Sequence, residues 1–226
     1  MNALDLYAKI EPLIGFYEEY EELYEEYISL IKTLHVEKIL DIGCGNGKFL
    51  QLLQRENYQA IGIDRSREMV RISTSLGVDA RNMELGELKT SFDCATAIGD
   101  VLNYMTQKEL IVFFKEVSKI LEKDAYFIAD INTQNGFQEV ADGLLIKENS
   151  EQFLAIEADF DGQVLQTNMT LFEKNRELYK KYSNKILQFY HPVELFEKFD
   201  GFTLVKKIDI SMFGDLDKTA LVFKKV

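Results

Sequence analysis

The chain has 226 residues and a formal net charge of −12, from 26 basic and 38 acidic residues. This length suits one compact domain with its own hydrophobic core, and the two prolines in the chain leave little sequence for a linker. The acidic balance disfavours nucleic acid as a partner, because a protein that wraps a phosphate backbone carries the opposite charge. The sequence has no apolar run long enough to predict a transmembrane helix.

The two cysteines, Cys44 and Cys94, are far apart in the chain and have no paired Cys or His spacing. Such spacing indicates neither a disulfide framework nor a structural zinc site, so we expect reduced thiols and no metal. The N-terminal segment carries Asp5, Lys9 and Glu11 where a signal peptide needs an apolar core. We therefore expect a cytoplasmic protein that does not act at a membrane.

The first predicted element is an amphipathic helix between residues 13 and 34, part of a helical cap over residues 1–35. Aromatic and apolar side chains recur there at steps of three and four with glutamates between them; they are Tyr17, Tyr20, Tyr24, Tyr27 and Ile31. A stripe of this kind packs onto a neighbouring layer more often than it lines a ligand site. A pocket role for Tyr7, Tyr17 or Tyr20 is the alternative.

Strands and helices then alternate along the chain. The predicted order is a strand at "KILDIG", a helix at "GKFLQLLQREN", a strand at "QAIGID", a helix at "SREMVRISTSLG", a short strand near "VDARNM", a strand at "FDCATAI", a helix at "QKELIVFFKEVSKILEK" and a strand at "AYFIADI". This alternation is typical of an α/β fold with a doubly wound, mostly parallel sheet and helices on both faces.

The alternation stops after Gly136. Consecutive strands are predicted at "EQFLAIEADF", "QVLQTNMTLFEK" and "ELYKKYSNKILQFY", which form an inserted antiparallel β-meander over residues 144–190. A helix at "HPVELFEKF" and strands at "FTLVKKIDI" and "TALVFKKV" complete the chain. The meander either covers the ligand site as a lid or forms a dimer interface, so both a monomer and a homodimer are open.

A glycine-rich stretch, "ILDIGCGNG", joins the first predicted strand to its helix, where open α/β sheets bind their ligands. A dinucleotide fingerprint needs a glycine at position 48, which is Lys48. The carboxylate of Asp41, at the end of the strand, repels phosphate and suits an ammonium group. Asp64, at the end of the second strand, suits the two hydroxyls of a ribose. Ribose and ammonium without phosphate describe S-adenosylmethionine.

The stretches "ILDIGCGNG" and "IGIDRS" resemble the class I S-adenosylmethionine-dependent methyltransferases, and the resemblance covers nearly the whole chain. It implies one domain over residues 1–226 with a seven-stranded Rossmann-like sheet, and the meander is similar to the lid of a small-molecule type. The resemblance implies these cofactor contacts: Asp41, Gly43, Cys44 and Gly45 at the methionine moiety, Asp64 at the ribose, Arg65 and Met69 at the ribose and adenine, Asn82 and Met83 at the adenine, and Ile98 and Gly99 along the cofactor.

The resemblance also places Asp100, in "FDCATAIGDVLNYM", near the sulfonium, where a helix cap is the alternative role. A general base is needed only if the acceptor arrives protonated, and Asp100, Asp130 and His191 are the candidates. His191 precedes Pro192 at a predicted helix start, so capping competes with a role in the pocket. Cys44 is expected to fill its loop, because no base for a thiol nucleophile is evident beside it.

The predicted function is transfer of a methyl group from S-adenosylmethionine to a small-molecule acceptor. One alternative is a methyltransferase that acts on RNA or protein. The charge speaks against RNA, and "GDVLNYM" lacks the Asn-Pro-Pro-Tyr run of nucleobase amino methyltransferases. A second alternative binds the cofactor without transferring its methyl group, and a third, a nicotinamide oxidoreductase, is disfavoured by Lys48 and Asp41. No sequence feature distinguishes an amine acceptor from a hydroxyl, thiol or carboxylate.

Overall fold

A computed structural model describes residues 1–15, 17–141, 143–213 and 215–226, and the side chains of Tyr17 and Glu18 lie outside the description. The strands are β1 (Lys38–Ile42), β2 (Gln59–Asp64), β3 (Ala80–Asn82), β4 (Phe92–Ala97), β5 (Leu121–Asn132), β6 (Gly143–Glu148), β7 (Gln152–Phe160), β8 (Val164–Asn175), β9 (Leu178–Phe189), β10 (Phe202–Ile210) and β11 (Lys218–Lys225). The α-helices are α1 (Ala3–Ile14), α2 (Tyr17–Lys32), α3 (Lys48–Arg55), α4 (Arg67–Ser75), α5 (Gln107–Ile120) and α6 (Gln134–Ala141). Short 3-10 turns lie at Leu85–Glu87, Val101–Tyr104 and Val193–Lys198.

The main sheet has seven strands in the order β10, β11, β5, β4, β1, β2, β3. β1 to β5 pair in parallel, and β11 runs antiparallel to both β5 and β10. One face packs against α5 through Phe114 and Val117, and the other packs against α2 and α3 through Tyr27 and Phe49. Because both faces are covered, β4 is buried at nearly every position. The predicted doubly wound fold is confirmed.

A second sheet, β6 to β9, is an antiparallel meander of four strands inserted after β5. We call this sheet the lid. Its insertion is confirmed, but β6 and the short helix α6 were not predicted from the sequence. Most positions of β6 are exposed and do not alternate in polarity, so the strand carries no period-two signal. Within the described ranges, no helix is both long and apolar enough to span a membrane.

Two predicted helices differ from the structure. The N-terminal segment forms two helices instead of one helix over residues 13–34, because α1 ends at Gly15, whose φ of 88° is left-handed. The predicted helix at "HPVELFEKF" is only a 3-10 turn over Val193–Lys198. Tyr20 and Tyr24 continue the predicted aromatic stripe; they are partly buried and pack against the core beneath α2. Together with Tyr7 they also line a cavity at the ends of the strands, which agrees with the alternative of a pocket role for Tyr7 and Tyr20. The side chain of Tyr17 lies outside the described residues.

Helix α1 connects the lid to the main sheet. Leu6 and Ile10 pack with Met169 and other apolar side chains of the lid, and Lys9 forms an ion pair with Glu173 of β8 at 2.8 Å. On its other side, the carboxylate of Asp5 accepts hydrogen bonds at the start of α4, from Ser66 Oγ and from the backbone of Glu68. The cap therefore holds the lid over the ends of the parallel strands.

Candidate functional site

A cavity of about 980 Å³ lies at the carboxyl ends of β1, β2 and β4 and continues beneath the lid. Sites for small molecules have volumes of about 300 to 1,000 Å³. The cavity is lined by α1, α2, the loops after these three strands, and the inner face of the lid. Because the carboxyl ends of parallel strands meet at one edge of the sheet, residues that follow different strands face the same space.

The glycine turn after β1 is held by backbone hydrogen bonds to β2. The N–H groups of Gly43 and Cys44 both donate to the carbonyl of Ile63, at 2.8 and 3.0 Å. The N–H of Gly45 donates to Asp64 Oδ2 at 3.0 Å. Gly45 has a φ of 51°, and a Cβ added there would meet only the Gly43 carbonyl oxygen, at 4.0 Å. The turn thus presents bare backbone to open cavity space, which suits a closely bound ligand.

Asp41 is a buried carboxylate, 3% exposed, at the end of β1. Burial raises the pKa of this carboxyl to about 7, and the charge of Asp64 contributes to the rise. A hydrogen bond from Thr96 opposes it by lowering the pKa. That hydrogen bond runs from Thr96 Oγ1 to Asp41 Oδ1 at 2.8 Å. Among the described residues, no basic side chain forms an ion pair with Asp41. A buried carboxylate without a cation favours a positively charged ligand group.

Asp64 ends β2 with both carboxylate oxygens directed at backbone. Besides the bond from Gly45, Oδ1 accepts the N–H of Ser66 at 2.7 Å. Burial raises the pKa of Asp64, and these backbone hydrogen bonds oppose the rise. Each oxygen retains a lone pair for a ligand. The carboxylate therefore shapes the glycine turn and is also available to donors in the cavity.

All of the predicted cofactor residues except Asn82 line the cavity: Asp41, Gly43, Cys44, Gly45, Asp64, Arg65, Met69, Met83, Ile98 and Gly99. Asn82 instead supports the loop behind them. Its Nδ2 donates to the carbonyls of Asp64 and Arg65, at 2.9 and 3.0 Å. Asn82 thus contacts backbone, whereas the resemblance implied a contact with adenine. Its neighbour Met83 faces the cavity.

Asp130 holds the turn after β4 and is itself fully buried. One oxygen accepts Tyr27 Oη at 2.9 Å and the N–H of Gly99 at 3.1 Å, and the other accepts the N–H of Asp100 at 2.7 Å. Burial raises the pKa of Asp130, while Lys218 lowers it. Asp130 has three donors on its oxygens and is not among the residues that line the cavity. This position favours a supporting role and does not favour Asp130 among the three candidate bases.

Asp100 lines the cavity in a left-handed conformation with φ of 67°. It stands at the N-cap position of the following 3-10 turn, as the alternative predicted, but its side chain makes no capping hydrogen bond. The carboxylate is instead paired with Lys218 Nζ, which also donates to Asn132 Oδ1 at 2.8 Å. Lys218 is 2% exposed. It was not among the site residues predicted from the sequence.

His191 lies behind the cavity wall. It is 2% exposed and is not among the lining residues. Its Nε2 donates to the carbonyl of Met105 at 2.9 Å, and burial lowers its pKa, which favours the neutral ring. It caps no helix either, since Pro192 precedes the 3-10 turn and provides no side-chain bond. This position does not favour the predicted catalytic role.

Comparison with known proteins gives consistent matches. Residues 39–124 match the family described as a methyltransferase domain. YqeM from Bacillus subtilis, which is named as a methyltransferase, is 27% identical over 203 residues, 81% of this chain and 82% of its own. A solved S-adenosylmethionine-dependent methyltransferase from Clostridium acetobutylicum has a TM-score of 0.75 and 21% identity over 97% of this chain and 96% of its own. The sugar N-methyltransferase KedS8 from Streptoalloteichus has a TM-score of 0.73 and 15% identity over 98% and 92% of the two chains. These structural likenesses are likenesses of fold.

Proposed function

We propose that the chain is a class I S-adenosylmethionine-dependent methyltransferase that methylates a small organic molecule bound between the cofactor and the lid. The observation that carries this proposal is the course of the cavity. It runs from the glycine turn after β1 to the inner face of the lid and is closed by α1 on one side. An acceptor of small size can enter this space, whereas a folded RNA or protein needs an open surface.

The residues of the cavity fit the cofactor. We propose that Asp41 accepts the ammonium group, that the backbone of Gly43 to Gly45 lies along the methionine moiety, and that Asp64 accepts the ribose hydroxyls. Met69 and Met83 line the same part of the cavity and provide apolar contact for a flat base. The fit rests on the uncompensated carboxylate of Asp41 and on the open space in front of Gly45.

The bound cofactor supplies an electrophilic methyl group on a positively charged sulfur. The chain itself has to orient the acceptor and exclude water, and orientation of this kind is worth about 7 to 11 kcal/mol in favourable cases. We propose that Asp100 stands beside the reacting atoms, since it lines the cavity where the cofactor part meets the lid. Lys218 and the backbone contacts to Asp130 fix its position.

The inner face of the lid supports a small acceptor. Ile156, Leu165, Thr167 and Gln188 of the lid line the cavity, and this mixture of apolar and polar side chains is typical of a small-molecule site. KedS8, a protein of the same fold, is a sugar methyltransferase, and the net charge of −12 opposes RNA.

The test follows the methyl group. The protein is incubated with S-adenosylmethionine labelled in the methyl group and with a cell extract separated into small-molecule, RNA and protein fractions. Label is expected to enter the small-molecule fraction alone. Label in RNA or protein would overturn the proposed acceptor class, and calorimetry showing that NADH binds more tightly than S-adenosylhomocysteine would overturn the cofactor contacts.

A further inference from the structure

Two amide side chains meet the cavity at the root of the lid. Asn132 is 7% exposed and Gln188 is 9% exposed, and both line the cavity. Asn132 Oδ1 accepts Lys218 Nζ. In the part of the chain that the structure describes, Asn132 Nδ2 and the side-chain amide of Gln188 have no hydrogen-bond partner. Among the described residues, only His191 Nδ1 is a fully enclosed side-chain polar atom without a partner. The free amide atoms of Asn132 and Gln188 are therefore open to the cavity, where a ligand can form hydrogen bonds with them.

A third amide brings the two together. Asn103 Nδ2 donates to the carbonyl of Phe189 at 2.9 Å, and Asn103 Oδ1 accepts the N–H of Asn132 at 2.9 Å. The end of β9 is therefore tied to the end of β5 through one side chain. Gln188 precedes Phe189, so its amide and that of Asn132 belong to the same end of the cavity.

The positive charge at this end of the cavity is already offset by acidic neighbours. Burial by itself lowers the pKa of Lys218, but Asp100, Asp130 and Asp217 raise it above its ordinary value, so the lysine is charged and is offset by its own neighbours. Among the described residues that line the cavity, the only other basic one is Arg65, which forms an ion pair with Glu84 at 2.9 Å. No cation is thus left to offset an anionic ligand at the polar end.

The lid surface next to the polar end is apolar. Leu165 of β8 lies directly opposite Gln188 in the antiparallel register. Leu145 and Ile156 continue the cavity wall on β6 and β7. A ligand that reaches the two amides therefore lies with its body against aliphatic side chains, which favours an apolar body with a polar end.

We propose that Asn132 and Gln188 bind an uncharged group of the acceptor that both donates and accepts hydrogen bonds, such as a primary amide or a hydroxyl, and thereby select neutral acceptors over carboxylates. An amide side chain offers both a donor and an acceptor and no charge. A carboxylate offers only acceptors and meets the acidic surroundings of Asp100 and Asp217. This inference rests on the proposed function and adds the chemistry of the acceptor.

The experiment uses benzamide and benzoate, two probes of the same shape that differ in charge. Their binding to the whole protein saturated with S-adenosylhomocysteine is measured by ligand-observed NMR. Benzamide is expected to bind at least about fivefold more tightly than benzoate. Gln188→Leu, which keeps the volume and removes the amide, is expected to weaken benzamide by about fivefold, the loss of roughly one hydrogen bond, with little change for benzoate.

Leu187→Gln is the matched control, because Leu187 is 39% exposed and is not among the residues that line the cavity; it should leave both probes unchanged. Equal binding of the two probes, failure of both to bind, or an unchanged preference in Gln188→Leu would overturn the inference. Calorimetry with S-adenosylhomocysteine separates the two proposals. If S-adenosylhomocysteine does not bind, the cofactor contacts are rejected. If it binds but the protein shows no preference for benzamide over benzoate, only the inference about the acceptor is rejected.

Discussion

The proposed cofactor part of the cavity, at the ends of β1 and β2, and the proposed acceptor part, beneath the lid, are built in different ways. Around the cofactor, the groups come from short loops after β1 and β2, and backbone N–H and carbonyl groups make most of the contacts that hold them. Around the acceptor, the groups are side chains from distant segments, such as Asn132, Gln188 and Lys218, brought together by the amide of Asn103. The first part depends on local backbone shape and the second on long-range packing.

The contrast indicates where substitutions should act. A change of backbone shape in the glycine turn should abolish cofactor binding if, as proposed, the turn itself is the binding surface. A change of one side chain in the acceptor part should alter which molecule is accepted and leave the cofactor bound.

Gly45→Val should have the largest effect. A branched side chain at φ of 51° strains the backbone and fills the open space before the turn, so binding of S-adenosylhomocysteine should weaken about 100-fold or more. Gly77→Val is the control: Gly77 has φ of 81° and no atom within 4 Å of an added Cβ, and it does not line the cavity. It should lower stability yet keep cofactor affinity. Calorimetry and thermal unfolding distinguish the two, and equal affinity in both variants would refute a backbone surface.

Asp64→Ala should weaken cofactor binding by about 1.5 to 3 kcal/mol, the range for hydrogen bonds to a charged group. The carboxylate also accepts the N–H groups of Gly45 and Ser66, so part of this loss comes through the glycine turn. Asp79→Ala is the comparison, since Asp79 pairs with Arg81 at 2.7 Å and does not line the cavity. If the two variants bind S-adenosylhomocysteine equally well, Asp64 has no part in the site.

The sequence predicted most of the residues around the proposed cofactor part of the cavity because their signal is local. A buried strand, an acidic residue at its end and a glycine turn occupy consecutive positions, and the period of the flanking elements gives their direction. The fold followed from the same alternation, and strands β1 to β5 were all anticipated. The errors are at elements with weak periodicity: α1 and α2 were merged across Gly15, and β6 and α6 were missed.

The acceptor part could not be predicted because its residues have no local pattern. Lys218 stands at the start of β11, and only the pairing of β11 with β5 brings it beside Asn132. Gln188 is one polar residue in a strand of mixed exposure. His191 looked chemically capable in the sequence, yet the fold places it behind Met105. A polar residue at the end of an apolar strand, as Asn132 is in β5, was the one available signal.

Asp41 should make cofactor binding depend on pH. In the free protein burial raises its pKa to about 7, and an ammonium group pairs only with the ionised carboxylate. The affinity for S-adenosylhomocysteine should therefore be about tenfold weaker at pH 6 than at pH 8. Asp41→Asn should bind weakly with a flatter profile. A profile that is the same in both proteins would remove Asp41 from the ammonium contact.

The same residue should affect stability with a defined sign. The pKa of Asp41 is higher in the folded protein than in the unfolded chain, so its neutral form favours folding. This contribution is complete below about pH 4 and is lost as the pH rises to about 7, by at most about 4 kcal/mol. Relative to Asp41→Asn, the parent should lose stability over this window. Denaturant unfolding without cofactor at pH 4, 5.5 and 7 measures the difference, and a constant difference would contradict the assignment.

His191→Gln should have the smallest effect on the reaction. Glutamine retains a donor for the carbonyl of Met105, which in the parent accepts a hydrogen bond from Nε2 of His191 at 2.9 Å. It packs less well than the imidazole against Phe196. Stability should therefore fall by about 1 to 3 kcal/mol. The rate of methyl transfer to the acceptor found in the labelling experiment should stay within about threefold of the parent rate, because an imidazole behind the cavity wall reaches no reacting atom. Asp100→Asn, which changes a residue that lines the cavity, should lower that rate more. The opposite outcome is a folded His191→Gln protein that binds S-adenosylhomocysteine normally but transfers methyl groups about 100-fold more slowly. That result would restore the catalytic role predicted from the sequence, and the acceptor part would then have to include the residues behind Met105.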